Sequence, residues 1–164
     1  MTRESYIRVT GLIREHPGRI RFVQTANRIL TALVFLSYPL LLLGLLAEKN
    51  QFFVRALLVP AISFLLLSAV RGAIRAPRPY EKFGIPPVLK KETRGKSFPS
   101  RHVFSAFMIA MTVYARVPWA GAVIGVFGLL IGCLRVAGGV HEPRDVIAGA
   151  LFGIACGLLF YPIF

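Results

Sequence analysis

Eight residues in three short runs have the types and spacing that phosphoryl transfer needs. The runs are Arg71-x6-Arg78-Pro79, then Pro99-Ser100-Arg101-His102, then Arg135-x5-His141-x3-Asp145. A phosphate ester dianion repels nucleophiles, so a site must first gather positive charge around its nonbridging oxygens. Arg71, Arg78 and Arg135 supply that charge from three segments, with bidentate geometry available. Ser100 and nearby backbone N–H groups, that of Arg101 included, can complete the cradle. A neutral imidazole held in one tautomer can attack phosphorus. His141 suits this role, with Asp145 four residues on to fix the ring and stabilise its charged form. The leaving alkoxide needs a proton, which His102 can supply before acting as base for the water that hydrolyses a phosphohistidine. This chemistry requires no metal, and the sequence has no cluster of carboxylates to hold one.

Each of these residues also has a plainer role. An arginine or histidine at the end of a span is commonly an interfacial anchor, and Asp145 can simply cap a helix. Arg75 and Arg101 suit either a secondary phosphate contact or lipid headgroups. Lys90 and Lys91 read as headgroup or solvent contacts, and His16, outside all three runs, as a surface residue.

The elements that must carry these residues are membrane helices. In a chain of 164 residues, 55% are hydrophobic and only 16% charged, and the mean hydropathy is +0.65. That length allows one domain, which cannot hide so much apolar surface inside itself, so most soluble enzymes are excluded. A net charge of +13 would suit nucleic acid or an anionic membrane. The apolar runs decide for the membrane, and no nucleic-acid partner is expected. A bilayer core of about 30 Å needs roughly 20 apolar helical residues. Five spans are expected, over 27–47, 52–70 (with a kink at Pro60), 102–117, 120–136 and 145–164. Residues 5–24 read as an amphipathic helix on the membrane surface, with Ile7, Leu12, Ile13, Ile20 and Phe22 as its apolar side. Tyr114, Trp119 and Tyr161 read as interfacial aromatics. The expected organisation is a basic segment over 1–26 and a transmembrane domain over 27–164. No signal peptide is expected, and Cys133 and Cys156 read as small packing residues.

Two glycine stripes predict which faces turn inward. Gly121, Gly125, Gly128 and Gly132 share a helical face with Arg135; Gly149, Gly153 and Gly157 continue a series that begins at His141 and Asp145. Small residues let helices approach closely in lipid, so both faces should point into the bundle. With five spans, 17 of the 20 Lys and Arg residues fall on the side of the N-terminus and the 71–101 loop. The positive-inside rule therefore predicts that this side is cytoplasmic.

The three runs resemble the signature of the type 2 phosphatidic acid phosphatase (PAP2) superfamily: Lys-x6-Arg-Pro, Pro-Ser-Gly-His, and Ser-Arg-x5-His-x3-Asp. The resemblance covers roughly residues 52–164. Arg71 stands where the family usually has Lys, Arg101 where it has Gly, and Leu134 where it has Ser. The resemblance implies an all-α membrane bundle and a lipid phosphatase without cofactor. It assigns the catalytic roles to His141, His102 and Asp145 and phosphate binding to Arg71, Arg78, Ser100, Arg101 and Arg135. Candidate substrates are phosphatidic acid, phosphatidylglycerol phosphate and polyprenyl phosphates or diphosphates. The rival readings are a non-catalytic protein that binds anionic lipid through its basic loop, and a haloperoxidase holding vanadate in the same cradle.

Overall fold

A computed structural model describes residues 1–90 and 94–161. Its seven helices are α1 (Arg3–Arg14), α2 (Pro17–Ala47), α3 (Phe52–Ile74), α4 (Pro79–Phe83), α5 (Arg101–Tyr114), α6 (Pro118–Ala137) and α7 (Pro143–Phe160). No strand occurs among the described residues. Proline opens α2, α4, α6 and α7, where a missing N–H costs nothing and a fixed φ favours the first turn. At the end of α3 the chain turns through Arg75 in the left-handed region, φ 49°, ahead of Pro77 and Pro79.

Four stretches are long and apolar enough to cross a bilayer: Pro17–Ala47, Phe52–Phe83, Pro118–Ala137 and Pro143–Phe160. The remaining expected span, 102–117, is α5, whose 14 residues rise about 21 Å at 1.5 Å per residue; it runs antiparallel to α6, with Tyr114 against Gly121 and Val103 near Gly132, so the chain still passes from one end of the bundle to the other. Pro99 precedes it and a turn before Pro118 ends it. α5 is the axle of the bundle. Ten of its residues are buried. Val103, Ala106, Phe107 and Ala110 pack with Val34 and Ile131, while Phe104 and Met108 pack with Leu67, Cys156 and Tyr161. The outer helices turn Leu36, Leu40, Leu65 and Leu159 outward. In water such a surface would drive aggregation; in lipid it is the required solvent-facing side.

Both glycine stripes face α5. A Cβ at Gly149 would lie 2.5 Å from the Ser100 carbonyl oxygen, one at Gly153 2.8 Å from that of Phe104, and one at Gly157 2.4 Å from Met111. On α6, a Cβ at Gly121 would lie 2.4 Å from the Tyr114 main chain, while Gly128 makes room for the Phe107 ring, 3.2 Å away. Backbone-to-backbone approach of this kind gives van der Waals contact where lipid offers no hydrophobic drive. Gly125 departs from the stripe, with nothing near its missing side chain.

Several expectations need correction. The boundary at 26/27 falls inside α2, because Pro17 starts that helix ten residues earlier than the apolar run does. The N-terminal segment is therefore a separate 12-residue α1 plus the first turns of α2. It buries Tyr6 and Thr10 against the protein and packs Ile13 and Ile20 against the Val23, Val88, Leu89 and Val140 cluster, while Ile7, Leu12 and Phe22 stay exposed, where lipid can meet them. Tyr161, expected as an interfacial aromatic, is instead buried against the Phe52 ring and hydrogen-bonds with Thr112 at 3.0 Å. Cys156 is a packing residue, but Cys133 is exposed on the outer side of α6. Lys91 and the last part of the fifth expected span, 162–164, lie outside the described residues.

Candidate active site

The end of α3, α4, the 94–100 loop, the start of α5 and the turn between α6 and α7 meet at one end of the bundle. There they enclose a cavity of about 400 Å³ whose lining includes Arg71, Arg78, Arg101, His102 and His141. Each of the three sequence runs thus contributes to one space. α1 closes the same end from outside, since the Tyr6 hydroxyl donates to the carbonyls of Ile85 and Gly139, each at 3.2 Å.

His141 lies in the turn before α7 and is 2% exposed. Its Nδ1 faces the Asp145 Oδ2 at 3.4 Å and the Ser97 Oγ at 3.3 Å. Its Nε2 faces the Arg78 guanidinium at 3.3 Å. Since a guanidinium can only donate, Nε2 is the unprotonated nitrogen and Nδ1 carries the proton. Burial, and then the nearby charges of Arg78 and Arg135, hold the His141 pKa down to about 4 against the opposing pull of Asp145. The ring is therefore a neutral imidazole with its lone pair aimed at the cationic side of the cavity.

Asp145 does two things at once. Its Oδ2 accepts from the Glu142 N–H at 3.1 Å, which closes the capping box of α7, and also faces His141. The same carboxylate oxygen thus caps α7 and faces the histidine ring. Four residues separate the two side chains, about one turn, which is why the x3 spacing is needed.

The arginines differ among themselves. Arg78, the N-cap of α4, donates to the Val140 carbonyl at 3.0 Å and so ties the cation to the turn that carries His141. Its Nε has no partner. Arg71 donates to the backbone carbonyls of Lys96, Ser97 and Pro99, so it braces the second run as well as lining the cavity. Arg135 is buried at the end of α6 with an unpartnered Nε, behind His141 rather than on the cavity wall. Ser100 is fully buried with an unpartnered hydroxyl. Arg101 is exposed and lies over the Phe64 ring, 5.5 Å from its centroid. Arg75 is exposed and bonds back to Gly72 at 3.2 Å, away from the cavity. Lys90 and His16 are exposed as well.

Sequence reasoning missed several members of the site. Arg94 and Lys96 reach the cavity wall, yet in the sequence they are two more cations in a basic loop. Glu81 accepts from the Arg78 N–H at 2.7 Å and the Gly95 N–H at 2.9 Å, fastening that loop to α4. Glu142 is buried and paired with Lys82 at 2.6 Å. Ser97 joins His141 and Asp145. Only Glu81 carried a sequence signal, as an acid three residues after an N-cap position.

The PAP2 superfamily pattern matches residues 52–164. Undecaprenyl-diphosphatase BcrC of Bacillus subtilis (strain 168) is 37% identical over 65 residues, 40% of this chain and 34% of that protein. Putative undecaprenyl-diphosphatase YbjG of Escherichia coli (strain K12) is 29% identical over 132 residues, 79% of this chain and 65% of that protein. The matched regions thus amount to less than two thirds of either relative's length. Among solved structures, a transmembrane PAP2-type phosphatidylglycerolphosphate phosphatase from Bacillus subtilis superposes with a TM-score of 0.74 at 23% identity. That superposition covers 96% of this chain and 82% of that one, a likeness of fold. With the pattern spanning the whole of α3 to α7 and all three motifs that meet at the cavity, the chain belongs to the PAP2 superfamily.

Proposed function

We propose that the chain is a membrane phosphatase that cleaves the phosphate or diphosphate ester of a lipid through a covalent phosphohistidine on His141. The observation that carries this reading is the orientation of His141, whose Nδ1 faces Asp145 and whose Nε2 faces Arg78 at 3.3 Å, in a cavity that His102 also lines. The phosphate enters between Arg71, Arg78 and Arg101, with Arg135 and the Ser100 hydroxyl behind. The Nε2 lone pair attacks phosphorus, the ester P–O bond breaks, and His102 protonates the departing oxygen. Water then attacks the phosphohistidine, giving its proton to His102 and releasing phosphate and neutral His141. Only side chains of the protein take part, which makes the reaction metal-independent.

A lipid substrate fits the surroundings. An apolar cavity of about 310 Å³ opens between α2, α3 and α5, lined among others by Phe35, Ala61 and Phe64. The Phe35 ring lies 6.2 Å from that of His102, and Phe64 underlies Arg101. A headgroup in the polar cavity would leave its tail beside the apolar one. The names of the relatives favour polyprenyl diphosphates and phosphatidylglycerol phosphate, with phosphatidic acid as a further candidate. The charge asymmetry favours a cytoplasmic site.

The test is phosphate release from a panel of these lipids in detergent micelles. His141→Ala should abolish turnover of whichever lipid the parent protein hydrolyses. Near-full turnover in that variant would remove the nucleophile, and no release from any lipid phosphate by the parent would favour an anionic-lipid-binding protein.

A further inference from the structure

Ser97 belongs to none of the three motifs, and the scheme above gives it no task. It is nonetheless 1% exposed and stands between the two residues that matter most. Its Oγ lies 2.5 Å from the Asp145 Oδ2 and 3.3 Å from the His141 Nδ1; the direct distance from Nδ1 to Oδ2 is 3.4 Å. A hydroxyl has one proton to give and lone pairs to receive with. An ionised carboxylate can only accept, so the hydroxyl proton goes to Asp145. The oxygen lone pairs are then left for the histidine, and Nδ1 must be the donor. On the other side of the ring, Arg78 independently requires Nε2 to be the acceptor. Two neighbours on opposite edges of the imidazole therefore demand the same tautomer.

The serine is itself held. Its N–H donates to the Ala76 carbonyl at 2.8 Å, and its own carbonyl accepts from Arg71 at 3.2 Å. The loop position is thus fixed from the end of α3, while Asp145 is fixed by the α7 capping box. Ser97 is the point where these two frames touch.

We propose that Ser97 is a positioning residue whose hydroxyl bridges His141 and Asp145. It locks the imidazole as the Nδ1–H tautomer and, through the Nδ1–H···Oγ–H···Oδ2 chain, lets the ionised carboxylate stabilise the positive charge that develops on the ring. This rests on His141 being the nucleophile. A hydrogen bond that strengthens as charge develops on its partner is worth about 10- to 100-fold in rate.

The experiment measures kcat, KM and thermal midpoint for Ser97→Ala, Ser97→Thr, Asp145→Asn and the Ser97→Ala/Asp145→Asn double variant on one micellar lipid phosphate. Ser97→Ala should lower kcat by about 10- to 100-fold with KM within about twofold. Ser97→Thr, which keeps the hydroxyl, should stay within about threefold of the parent. In the Asp145→Asn background Ser97→Ala should cost less than about threefold more, because groups acting as a unit lose their effect together. The proposal is overturned if Ser97→Ala keeps its kcat, if the alanine and threonine variants fall equally, or if the losses multiply in the double variant. It is also overturned if the fall in kcat follows a fall in thermal midpoint. Should Ser97→Ala not fold, Ser97→Cys against Ser97→Thr asks the same question, and equal rates decide against it. Turnover by His141→Ala would instead strike the catalytic scheme itself, whatever Ser97 does.

Discussion

The backbone N–H of Ser100 donates to the backbone carbonyl of Asp145 at 2.7 Å, so the second and third motifs are joined main chain to main chain. One turn along α7, the missing side chain of Gly149 is what lets the two helices come this close, since a Cβ there would sit 2.5 Å from the Ser100 oxygen. The second and third motifs are therefore positioned together by one seam between α5 and α7.

Gly149→Ala should open that seam. Overpacking against backbone typically costs about 1–3 kcal/mol, and the displaced Ser100 should lower kcat together with the thermal midpoint. Gly125→Ala, at a position with open space around it, should leave both unchanged. Equal behaviour of the two variants in a thermal melt and a turnover assay would contradict the seam.

The pH profile follows from the His141 pKa of about 4. The free enzyme needs the neutral ring, so the acid limb of kcat/KM should lie well below the usual histidine value of about 6.5. Stability has the matching sign. An unfolded chain takes up a proton near pH 6.5 and the folded one near 4, so this group destabilises the fold progressively as pH falls from 6.5 to 4 and not above it. A kcat/KM profile with its acid limb near 6.5 would mean that the ring is far more solvated than its burial implies.

Ala61 lies on the wall of the apolar cavity. Ala61→Phe should raise KM for a long-chain lipid phosphate several-fold and leave a short-chain, water-soluble phosphate ester untouched. Parallel measurement of both substrates separates loss of tail binding from damage to the polar site, and an equal effect on both would place the tail elsewhere.

The proposed scheme uses protein groups in every step and predicts that incubation with EDTA followed by gel filtration leaves turnover within about twofold, less than the effect of one lost Lewis acid. A large loss restored by one divalent cation would require a different mechanism.

Sidedness has a direct readout. Lys90 is exposed in the loop beside the cavity, and Lys90→Cys should react with a membrane-impermeant maleimide in inside-out vesicles but not in intact cells. The reverse pattern would place the cavity on the outer face.

Much of this arrangement was legible in the sequence because periodicity and charge carry it. The small-xxx-small series at Gly149, Gly153 and Gly157 identified the packed face of α7, and the x3 spacing of His141 and Asp145 placed both side chains on one turn. What escaped was what depends on contact between distant segments. Nothing in the sequence around Ser97 shows that a loop carbonyl bonded to Arg71 will hold its hydroxyl against Asp145. Tyr6 looked like one more residue of a surface helix, yet it is buried completely beneath the turn that carries His141. The 102–117 run reads as one more span, and only packing reveals that its helix is enclosed by α2, α3, α6 and α7. Arg75 continues the spacing of Arg71, but the left-handed turn at its own Cα sends it off the shared face.

The enclosure of α5 also shapes how such a chain can change over time. Outward leucines of α2 and α3 meet only fluid hydrocarbon, and one aliphatic group there serves as well as another. A substitution along α5 disturbs a core shared with four other helices and reaches His102 through a single rigid rod. Drift should therefore collect on the rim of the molecule and leave its hub nearly frozen, a pattern that saturation mutagenesis would display as two concentric zones.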